Sequence, residues 1–298
     1  MVVGSANMDL VVKAARIPSV GETILGGDFL MVPGGKGANQ AVAAAKLGAR
    51  VHFVSRLGED LFGRQSLANF ERAGVDTTFV TSTPDVASGV ALITVDAEGN
   101  NVIVVAPGAN ARLSPADVEC AGPDIRAAGA VVAQLEVPIE TIAHAGALAH
   151  AAGVPFILDP APAQELSPEL LRMVSVLTPN ETEARILTGV DVTDEASAQA
   201  AAAQLLDRGV GAVVVTMGGQ GFLLADQSGT EFVPALTVQA VDTTAAGDAF
   251  TGSLAVGLAQ GQSLRDAARF AARAAALSVT RMGAQPSMPT RQEVEAFN

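Results

Sequence analysis

The strongest signal for chemistry is a loop of small residues that leads into a helical pattern, Val241–Phe250. A helix that begins here would present the backbone N–H groups of Ala246, Gly247 and Asp248, where unpaired donors and the helix dipole favour an anion. The Asp248 carboxylate beside that anion hole could accept a proton from an attacking hydroxyl group. The pattern predicts a phosphoryl-transfer site, although an aspartate in a first helical turn is equally typical of a simple helix cap.

Two earlier segments suit a small polyol. Asn7 and Asp9 follow the short apolar strand Val2–Gly4 and alternate, so their side chains point the same way and offer amide and carboxylate groups to hydroxyls. The segment Gly34–Gln40 joins a tight glycine turn to a helical pattern, and its Asn39 could hydrogen-bond a sugar. The segment fits neither the Walker A spacing nor the dinucleotide fingerprint. Without further context, an Asx turn and a plain glycine turn would explain these residues.

A third glycine-rich segment, Thr216–Gly221, follows the apolar run Ala212–Val215. Glycines at a strand end of an open α/β sheet fit a nucleotide crevice, and an ordinary tight turn is an equal alternative. The three histidines have no paired spacing, which disfavours a structural zinc site. Mg²⁺ held mainly by ATP phosphates and water would need only one or two carboxylates.

Composition narrows the class of protein. The 298 residues carry 31 acidic and 18 basic side chains, a net charge of −13 that disfavours nucleic acid as a partner. Cys120 is the only cysteine, so no internal disulfide can form, and we expect it to be a small half-buried residue. No signal-peptide pattern and no run of ~20 uncharged apolar residues occurs. We therefore expect a cytoplasmic protein with no membrane partner.

The fold is predicted from alternating strand and helix patterns. Apolar runs typical of buried parallel strands occur at Val131–Leu135, Pro155–Leu158, Val174–Leu177 and Ala212–Thr216. Helical patterns occur at Ile139–Ala151, Pro179–Leu187, Glu195–Asp207, Ala245–Gln260 and Leu264–Thr280. This alternation predicts an α/β fold with an open, mostly parallel sheet covered by helices on both faces.

Two segments, about 10–33 and 88–106, carry strand patterns with no helix between them. In the second, Asp96–Asn100 reads as the turn of a hairpin. We expect both segments to leave the main sheet and form a small β-sheet lid.

Together these motifs resemble the ribokinase family of carbohydrate kinases, over essentially the whole chain. Further blocks that carry the resemblance are Gln134–Glu136, Asp159–Ala163, Thr178–Ala184 and Gly283–Ser287. The resemblance implies a single α/β domain over residues 1–298 and ATP-dependent phosphorylation of D-ribose at the 5-hydroxyl, giving ribose 5-phosphate. A kinase of fructose, deoxyribose or adenosine is an alternative, as is a non-catalytic sugar sensor on the same fold. With only three residues before Gly4, the natural protein is expected to start earlier.

The resemblance also implies roles for individual residues. Asp248 matches the catalytic base, with Ala246 and Gly247 forming the anion hole. The positions that match the family's sugar site are Asn7, Asp9, Gly35, Lys36, Asn39, Glu136 and Asp248. Those that match its ATP site are Asn180, Thr216, Gly218, Gly221 and Gly247.

Cofactors and assembly are implied in the same way. Glu183 would act indirectly on the Mg²⁺ that accompanies ATP. The positions that match a K⁺ site, several of them through backbone carbonyls, are Asp242, Thr244, Ser278, Arg281, Gly283 and Ser287. The resemblance also implies a homodimer that forms through the lid.

Overall fold

The computed structural model describes residues 1–297, and within them the chain forms fourteen strands and eleven α-helices. The strands are β1 (Val2–Val3), β2 (Asn7–Lys13), β3 (Phe29–Gly34), β4 (Val51–Gly58), β5 (Val75–Asp76), β6 (Val80–Thr83), β7 (Gly89–Val95), β8 (Asn101–Ala106), β9 (Val131–Gln134), β10 (Phe156–Asp159), β11 (Val176–Leu177), β12 (Ala212–Thr216), β13 (Gly221–Asp226) and β14 (Gly229–Pro234). The helices are α1 (Lys36–Lys46), α2 (Leu61–Arg72), α3 (Pro115–Cys120), α4 (Gly122–Arg126), α5 (Ile139–Ala151), α6 (Pro168–Met173), α7 (Glu181–Thr188), α8 (Glu195–Asp207), α9 (Ala246–Ala259), α10 (Leu264–Ser278) and α11 (Arg291–Ala296).

The main sheet has ten strands in the order β14-β13-β12-β11-β10-β9-β1-β4-β5, with β6 pairing along the later part of β4. The pairings from β12 through β5 are parallel, whereas the β12–β13 and β13–β14 pairings at one edge are antiparallel, so β13 alone runs against the others. The predicted fold class is therefore confirmed. Five strands of the main sheet were predicted, β1 and the adjacent neighbours β9 to β12, whereas β4 and the edge hairpin were not.

Helices cover both faces of the main sheet. In β9, Val131 and Ala133 face one apolar core, and Val132 faces the other. Helices α3 to α8 pack into the first core, and α1, α2 and α9 to α11 pack into the second. Burial on both faces explains why these strands are almost continuously apolar instead of alternating.

The helix boundaries follow from local chemistry. The Ser263 hydroxyl accepts a hydrogen bond from the Asp266 N–H at 3.1 Å and so caps α10, as the sequence predicts. Gly261, with φ of +78°, lies just beyond the end of α9. Among residues 1–297, every helix is too short or too polar to cross a bilayer. Cys120 ends α3 in an exposed position, so the expectation of a half-buried cysteine was wrong.

The second sheet has four strands in the order β3-β2-β7-β8. The central β2–β7 pair is parallel, and both outer pairs are antiparallel. Only three residues, Gly4 to Ala6, connect β1 of the main sheet to β2 of the second sheet. Asn7 and Asp9, expected just beyond the first strand of the main sheet, therefore lie inside β2 of the second sheet.

One strand of the second sheet is exposed along its whole length. All six residues of β8 are exposed, with Ile103 at 51% and Val104 at 60%. Leu92 on the neighbouring β7 is 53% exposed and Phe29 on β3 is 56% exposed. The second sheet thus carries an apolar surface that this chain does not cover.

Candidate active site

Asp248 lies in the first turn of α9, facing the carboxyl ends of the main-sheet strands, and is only 4% exposed. The Asn39 side-chain N–H donates to its Oδ2 at 2.8 Å, and that of Gln40 donates to its Oδ1 at 3.1 Å. The Lys36 Nζ lies 4.0 Å from Oδ1. Both carboxylate oxygens therefore have N–H partners, which fix the side chain in one orientation.

A second buried carboxylate lies beside the first. Asp159 at the end of β10 accepts a 2.7 Å hydrogen bond from the Gln40 amide and lies 3.9 Å from the Lys36 Nζ. Burial raises the pKa of Asp159 to about 8, although the Lys36 charge opposes that shift. Gln40 and Lys36 thus bridge two carboxylates that would otherwise repel each other.

Lys36, the first residue of α1, provides the positive charge of the site. Burial lowers the pKa of its ammonium group, but Asp159 and Asp248, with smaller contributions from Glu136 and Glu183, raise that pKa above its usual range. A lysine held protonated among carboxylates can attract an anionic phosphate that the net negative charge of the chain would repel.

Glycines allow α1 to begin against the crossing from β1 to β2. Gly35 has φ of +87°, and a Cβ there would lie 2.6 Å from the Asn7 backbone nitrogen. A Cβ on Gly37 would lie 2.6 Å from the Ser5 nitrogen. Only glycine allows this approach, which brings the start of α1 next to the polar residues of β2.

Glu136 closes the same corner from the loop after β9. Its Oε2 accepts from the Ser5 hydroxyl at 2.5 Å and from the Lys36 backbone N–H at 3.0 Å. The carboxylate thus joins three segments that are far apart in the sequence.

Asn7 and Asp9 face this corner from the second sheet. The Asn110 side chain, 1% exposed, pairs with the Ala6 backbone through both its oxygen and its nitrogen and donates to Asn7 Oδ1 at 2.7 Å. Asn7 is therefore oriented with its nitrogen available to donate, and among residues 1–297 that nitrogen has no acceptor. Burial, with Glu136 and Asp248 nearby, raises the pKa of Asp9 to about 7.

The N-terminus of α9 follows a strained residue. Ala245 has a left-handed φ of +60°, which is unfavourable for a residue with a Cβ. The Ala246 N–H donates to Thr243 O at 3.3 Å, whereas those of Gly247 and Asp248 have no acceptor in the described part of the chain. A Cβ on Gly247 would meet nothing within 4 Å. This end of the helix can accept an anion.

The predicted nucleotide residues converge beside α9. Asn180 and Glu183 form a reciprocal capping box at the start of α7, with bonds of 2.9 Å in each direction. Asn180 forms a β-bridge with Thr216 at the end of β12. Gly218 and Gly221 follow with φ of +48° and +118°. Burial raises the pKa of Glu183, and the nearby Asp248 charge raises it further.

The predicted K⁺ residues belong to two loops that Asp242 joins. Its Oδ1 accepts from the Thr244 backbone N–H at 2.9 Å, and its Oδ2 accepts from the Gly283 N–H at 2.8 Å. The hydroxyls of Ser278 and Ser287 donate to backbone carbonyls of their own turns.

The Arg281 side chain pairs with Glu293 at 2.5 Å. No cluster of three or more histidine, cysteine, aspartate or glutamate side chains suited to a metal occurs within residues 1–297. The Ser278 and Ser287 hydroxyls donate to carbonyls, so each keeps oxygen lone pairs that could face a cation, and Mg²⁺ held mainly by ATP phosphates would need few protein carboxylates.

Sequence reasoning missed several buried polar residues of the site. Asp159, Gln40, Gln134 and Gln285 are each at most 5% exposed, and Asn110 is 1% exposed. A usable signal existed, because Gln134 and Asp159 each end a strand whose every residue is buried. A polar residue at such a position must find a partner.

Comparisons with known proteins identify the family of this chain. The family model of the pfkB family carbohydrate kinases matches residues 1–291. A ribokinase of Haemophilus influenzae is 43% identical over 296 residues, covering 99% of this chain and 97% of the relative. A deoxyribokinase of Salmonella typhi is 41% identical over 298 residues, covering 100% of this chain and 96% of that protein.

A solved structure gives the same result for the fold. The structure of Arabidopsis thaliana ribokinase complexed with ribose and ATP superposes with a TM-score of 0.92 at 37% identity, covering 99% of this chain and 97% of that one. A family match along nearly the whole chain, joined to the buried aspartate at the start of α9, identifies this chain as a member of the pfkB family of carbohydrate kinases.

Proposed function

We propose that this protein transfers the γ-phosphate of ATP to the 5-hydroxyl of D-ribose, giving ribose 5-phosphate and ADP. The observation that carries the proposal is the buried Asp248 carboxylate, held by Asn39 and Gln40 at the carboxyl edge of the main sheet. Full-length similarity to ribokinases supports the choice of sugar.

Asp248 is the general base. It takes the proton of the sugar hydroxyl as the new bond from oxygen to phosphorus forms and the bond between the γ-phosphorus and the ADP oxygen breaks. The hydrogen bonds from Asn39 and Gln40 keep the carboxylate oriented for that transfer. Positioning and charge stabilisation then supply most of the catalysis.

The anion hole is formed at the start of α9. The N–H groups of Gly247 and Asp248 face the transferred phosphoryl group, and Ala246 supports them through its turn with Thr243. Lys36 adds a positive charge 4.0 Å from Asp248 Oδ1. Mg²⁺ bound with ATP neutralises phosphate charge, and Glu183, next to Asn180, is the carboxylate that would orient its water shell.

The sugar site joins the two sheets. Asn7 and Asp9 reach it from β2, and the remaining residues of the site come from α1 and from the loop after β9, namely Gly35, Lys36, Asn39 and Glu136. Amides and carboxylates in this mixture can each pair with a hydroxyl that both donates and accepts.

The ATP site lies on the other side of Asp248. Asn180, Thr216, Gly218 and Gly221 line it at the ends of β11 and β12. This position matches the crevice at the carboxyl ends of strands where open α/β sheets bind nucleotides.

Deoxyribose is the second candidate substrate, because two curated deoxyribokinases match the chain as fully as the ribokinases do. The two sugars differ only in the 2-hydroxyl. Relative turnover of ribose and 2-deoxyribose therefore separates these activities.

We also propose a K⁺ site in the loops that Asp242 joins. The ligands are carbonyl and side-chain oxygens of Asp242, Thr244, Ser278, Arg281, Gly283 and Ser287. Their position next to the start of α9 would let the cation set the geometry of the anion hole. Turnover should fall when K⁺ is replaced by Na⁺ or Li⁺, and equal rates in all three salts would remove the site.

The second sheet acts as a lid, and through its exposed apolar surface it forms a homodimer. Support comes from the exposure of β8 and of its neighbours Phe29 and Leu92. The protein works in the cytoplasm, where its ATP is supplied.

The deciding experiment measures ADP release with Mg·ATP and K⁺ on ribose, 2-deoxyribose, fructose, adenosine and no sugar. Preference for ribose with little background ATPase supports the proposal. Preference for another sugar moves the assignment to that sugar, and no turnover on any of them favours a sugar sensor.

A further inference from the structure

A row of side-chain amides connects helix α2 to the catalytic carboxylate. The Asn69 nitrogen donates to Gln285 Oε1 at 2.5 Å, the Gln285 nitrogen donates to Asn39 Oδ1 at 3.1 Å, and the Asn39 nitrogen donates to Asp248 Oδ2 at 2.8 Å. Gln285 is 4% exposed and Asn39 is 6% exposed. We call this chain of Asn69, Gln285 and Asn39 the amide row.

The direction of the amide row follows from its end at Asp248. An ionised carboxylate only accepts hydrogen bonds, so Asn39 must turn its nitrogen toward Asp248. Its oxygen then faces Gln285, which must present a nitrogen there and an oxygen to Asn69. Each amide therefore sets the orientation of the next, and buried hydrogen bonds in such a row reinforce one another.

The middle of the amide row is held in place by α1. The Lys46 ammonium donates to the backbone oxygens of Gln285 at 2.9 Å and Met288 at 3.0 Å. Lys46 lies about two helical turns after Asn39 on α1, so one helix carries both the amide and the clamp on its partner. The position of Gln285 relative to Asn39 is thus fixed independently of the amides.

Asp248 faces several other charges. Lys36 lies near it at the start of α1. The Asp248 charge also raises the pKa of three nearby carboxyl groups, which belong to Asp159 at the end of β10, Glu183 on α7 and Asp9 on β2. With one cation facing three acids, the Asn39 and Gln40 N–H groups are the contacts that fix the orientation of the Asp248 carboxylate.

We propose that Gln285 and Asn69 are positioning residues, which hold Asn39 in the orientation that keeps its N–H on Asp248 during phosphoryl transfer. Neither residue needs to touch the sugar or ATP. The inference rests on the proposed function, in which Asp248 is the general base.

Asn69→Asp tests the direction of the amide row. Asn69 lines a groove of about 550 Å³ between the second sheet and α2, so a charge there can be solvated. A carboxylate at this position can only accept, so the Gln285 nitrogen would have to donate to it. The Gln285 oxygen would then face Asn39, and the Asn39 oxygen would face Asp248. The acid limb of kcat against pH should then move up by at least about half a pH unit.

Gln65→Glu is the matched control. It makes the same change from amide to acid about one turn earlier on α2, in the same groove, and Gln65 has no bond to the amide row in the described residues. Its acid limb should coincide with that of the wild type. Thermal melting of each variant verifies that the protein is folded.

Gln285→Met tests the middle of the amide row, because it keeps the length of the side chain and removes the amide. At saturating K⁺ and ribose, kcat should fall about tenfold, since Asn39 is left with an unpaired buried oxygen. If this variant does not fold, the comparison of Asn69→Asp with Gln65→Glu still decides.

The inference about the amide row would be overturned if the acid limb of folded Asn69→Asp matched that of Gln65→Glu, or if Gln285→Met kept the wild-type kcat. Either result would leave the proposed function standing. A wild-type enzyme that phosphorylates none of the sugars would overturn the proposed function itself. The two failures are therefore distinguishable.

Discussion

The main sheet and the second sheet, the proposed lid, use the same kinds of residue in opposite ways. Residues Val131, Val132 and Ala133 of β9 are each at most 2% exposed, because helices cover both faces of that strand. Val102 to Val105 of β8 are equally apolar, yet each is at least 47% exposed. Strand composition alone therefore does not reveal whether the chain itself covers a strand.

Because of this difference, we expect the main sheet to be the stable part of the molecule and the second sheet to be the part that moves when ligands bind. The main sheet gains its hydrophobic stabilisation within the chain, so its carboxyl edge offers a rigid support for Asp248 and Asp159. The lid has few internal apolar partners and carries Asn7 and Asp9 toward the same site. Elements of low local stability are those that move on ligand binding.

The largest expected effect is on chemistry at the main-sheet side. Asp248→Asn should lower kcat by about 10³-fold or more while ATP still binds, because the amide cannot accept the proton of the hydroxyl. ADP release and ATP titration measure the two properties.

Asp266→Asn, in the first turn of the neighbouring helix α10, is the control and should keep turnover. Near-normal turnover in Asp248→Asn would refute the catalytic assignment.

Shortening one leucine in each sheet tests how much each sheet contributes to the free energy of unfolding. Leu158→Ala in β10 removes a side chain with 0% exposure and should cost about 2–5 kcal/mol of unfolding free energy. Leu92→Ala on the lid, where 53% of the residue is exposed, should cost about 0.5 kcal/mol or less. Urea unfolding at protein concentrations low enough to keep the chain monomeric measures both, and equal losses would contradict the comparison.

A charge on the lid surface tests whether a second copy covers it. Ile103→Asp should raise the dimer dissociation constant at least about tenfold, because a carboxylate would be buried against an apolar partner surface. Analytical ultracentrifugation measures the constant.

Ile186→Asp is the control, since Ile186 is 55% exposed on α7, outside the lid. Equal dissociation constants for both variants and the wild type would remove the lid from the interface.

The smallest effect concerns the pH dependence of stability. The folded state raises the pKa of Asp9 from 3.8 to about 7, chiefly by burial. Between about pH 4 and 7 the folded protein keeps a proton that the unfolded chain has lost, so this group makes stability fall as pH rises. Asp9→Asn should therefore gain about 1 kcal/mol over the wild type at pH 7 compared with pH 6.

Urea unfolding at both pH values measures this gain. Asp28→Asn, at an exposed position of the same segment, should leave the pH profile unchanged. A gain of equal size at both pH values would show that the titration of Asp9 is not its cause.

Much of the main sheet could be predicted because buried parallel strands and their helices have periodic signals. Val131–Leu135 and Ala212–Thr216 were recognised from apolar runs, and α10 from Ser263 and its helical pattern. The edge hairpin β13–β14 was not predicted, because Gly218 and Gly221 are typical of a turn and mask the strand that begins at Gly221.

Site residues could be predicted from the sequence only where the residue type itself indicates a role, such as a lone carboxylate, a glycine or a lysine. Asp248, Gly247 and Lys36 stand out from their neighbours, and their roles stay predictions that the structure makes geometrically reasonable. Gln40 and Gln285 had no local signal. Gln40 meets Gln134 of β9, and Gln285 meets Asn39 of α1, only through the fold, and a glutamine has no characteristic spacing.

The exposed β8 also has a consequence for handling the protein. It is an edge strand with the sequence Asn-Val-Ile-Val-Val-Ala, so it combines strong β-propensity, no charge and one backbone edge that no other strand of this chain pairs. Such a segment can template the stacking of further chains when the proposed dimer partner does not cover it. Dilute or lid-mutated preparations should therefore be the ones that form fibrils, and added charge at Val102 or Val104 should delay them.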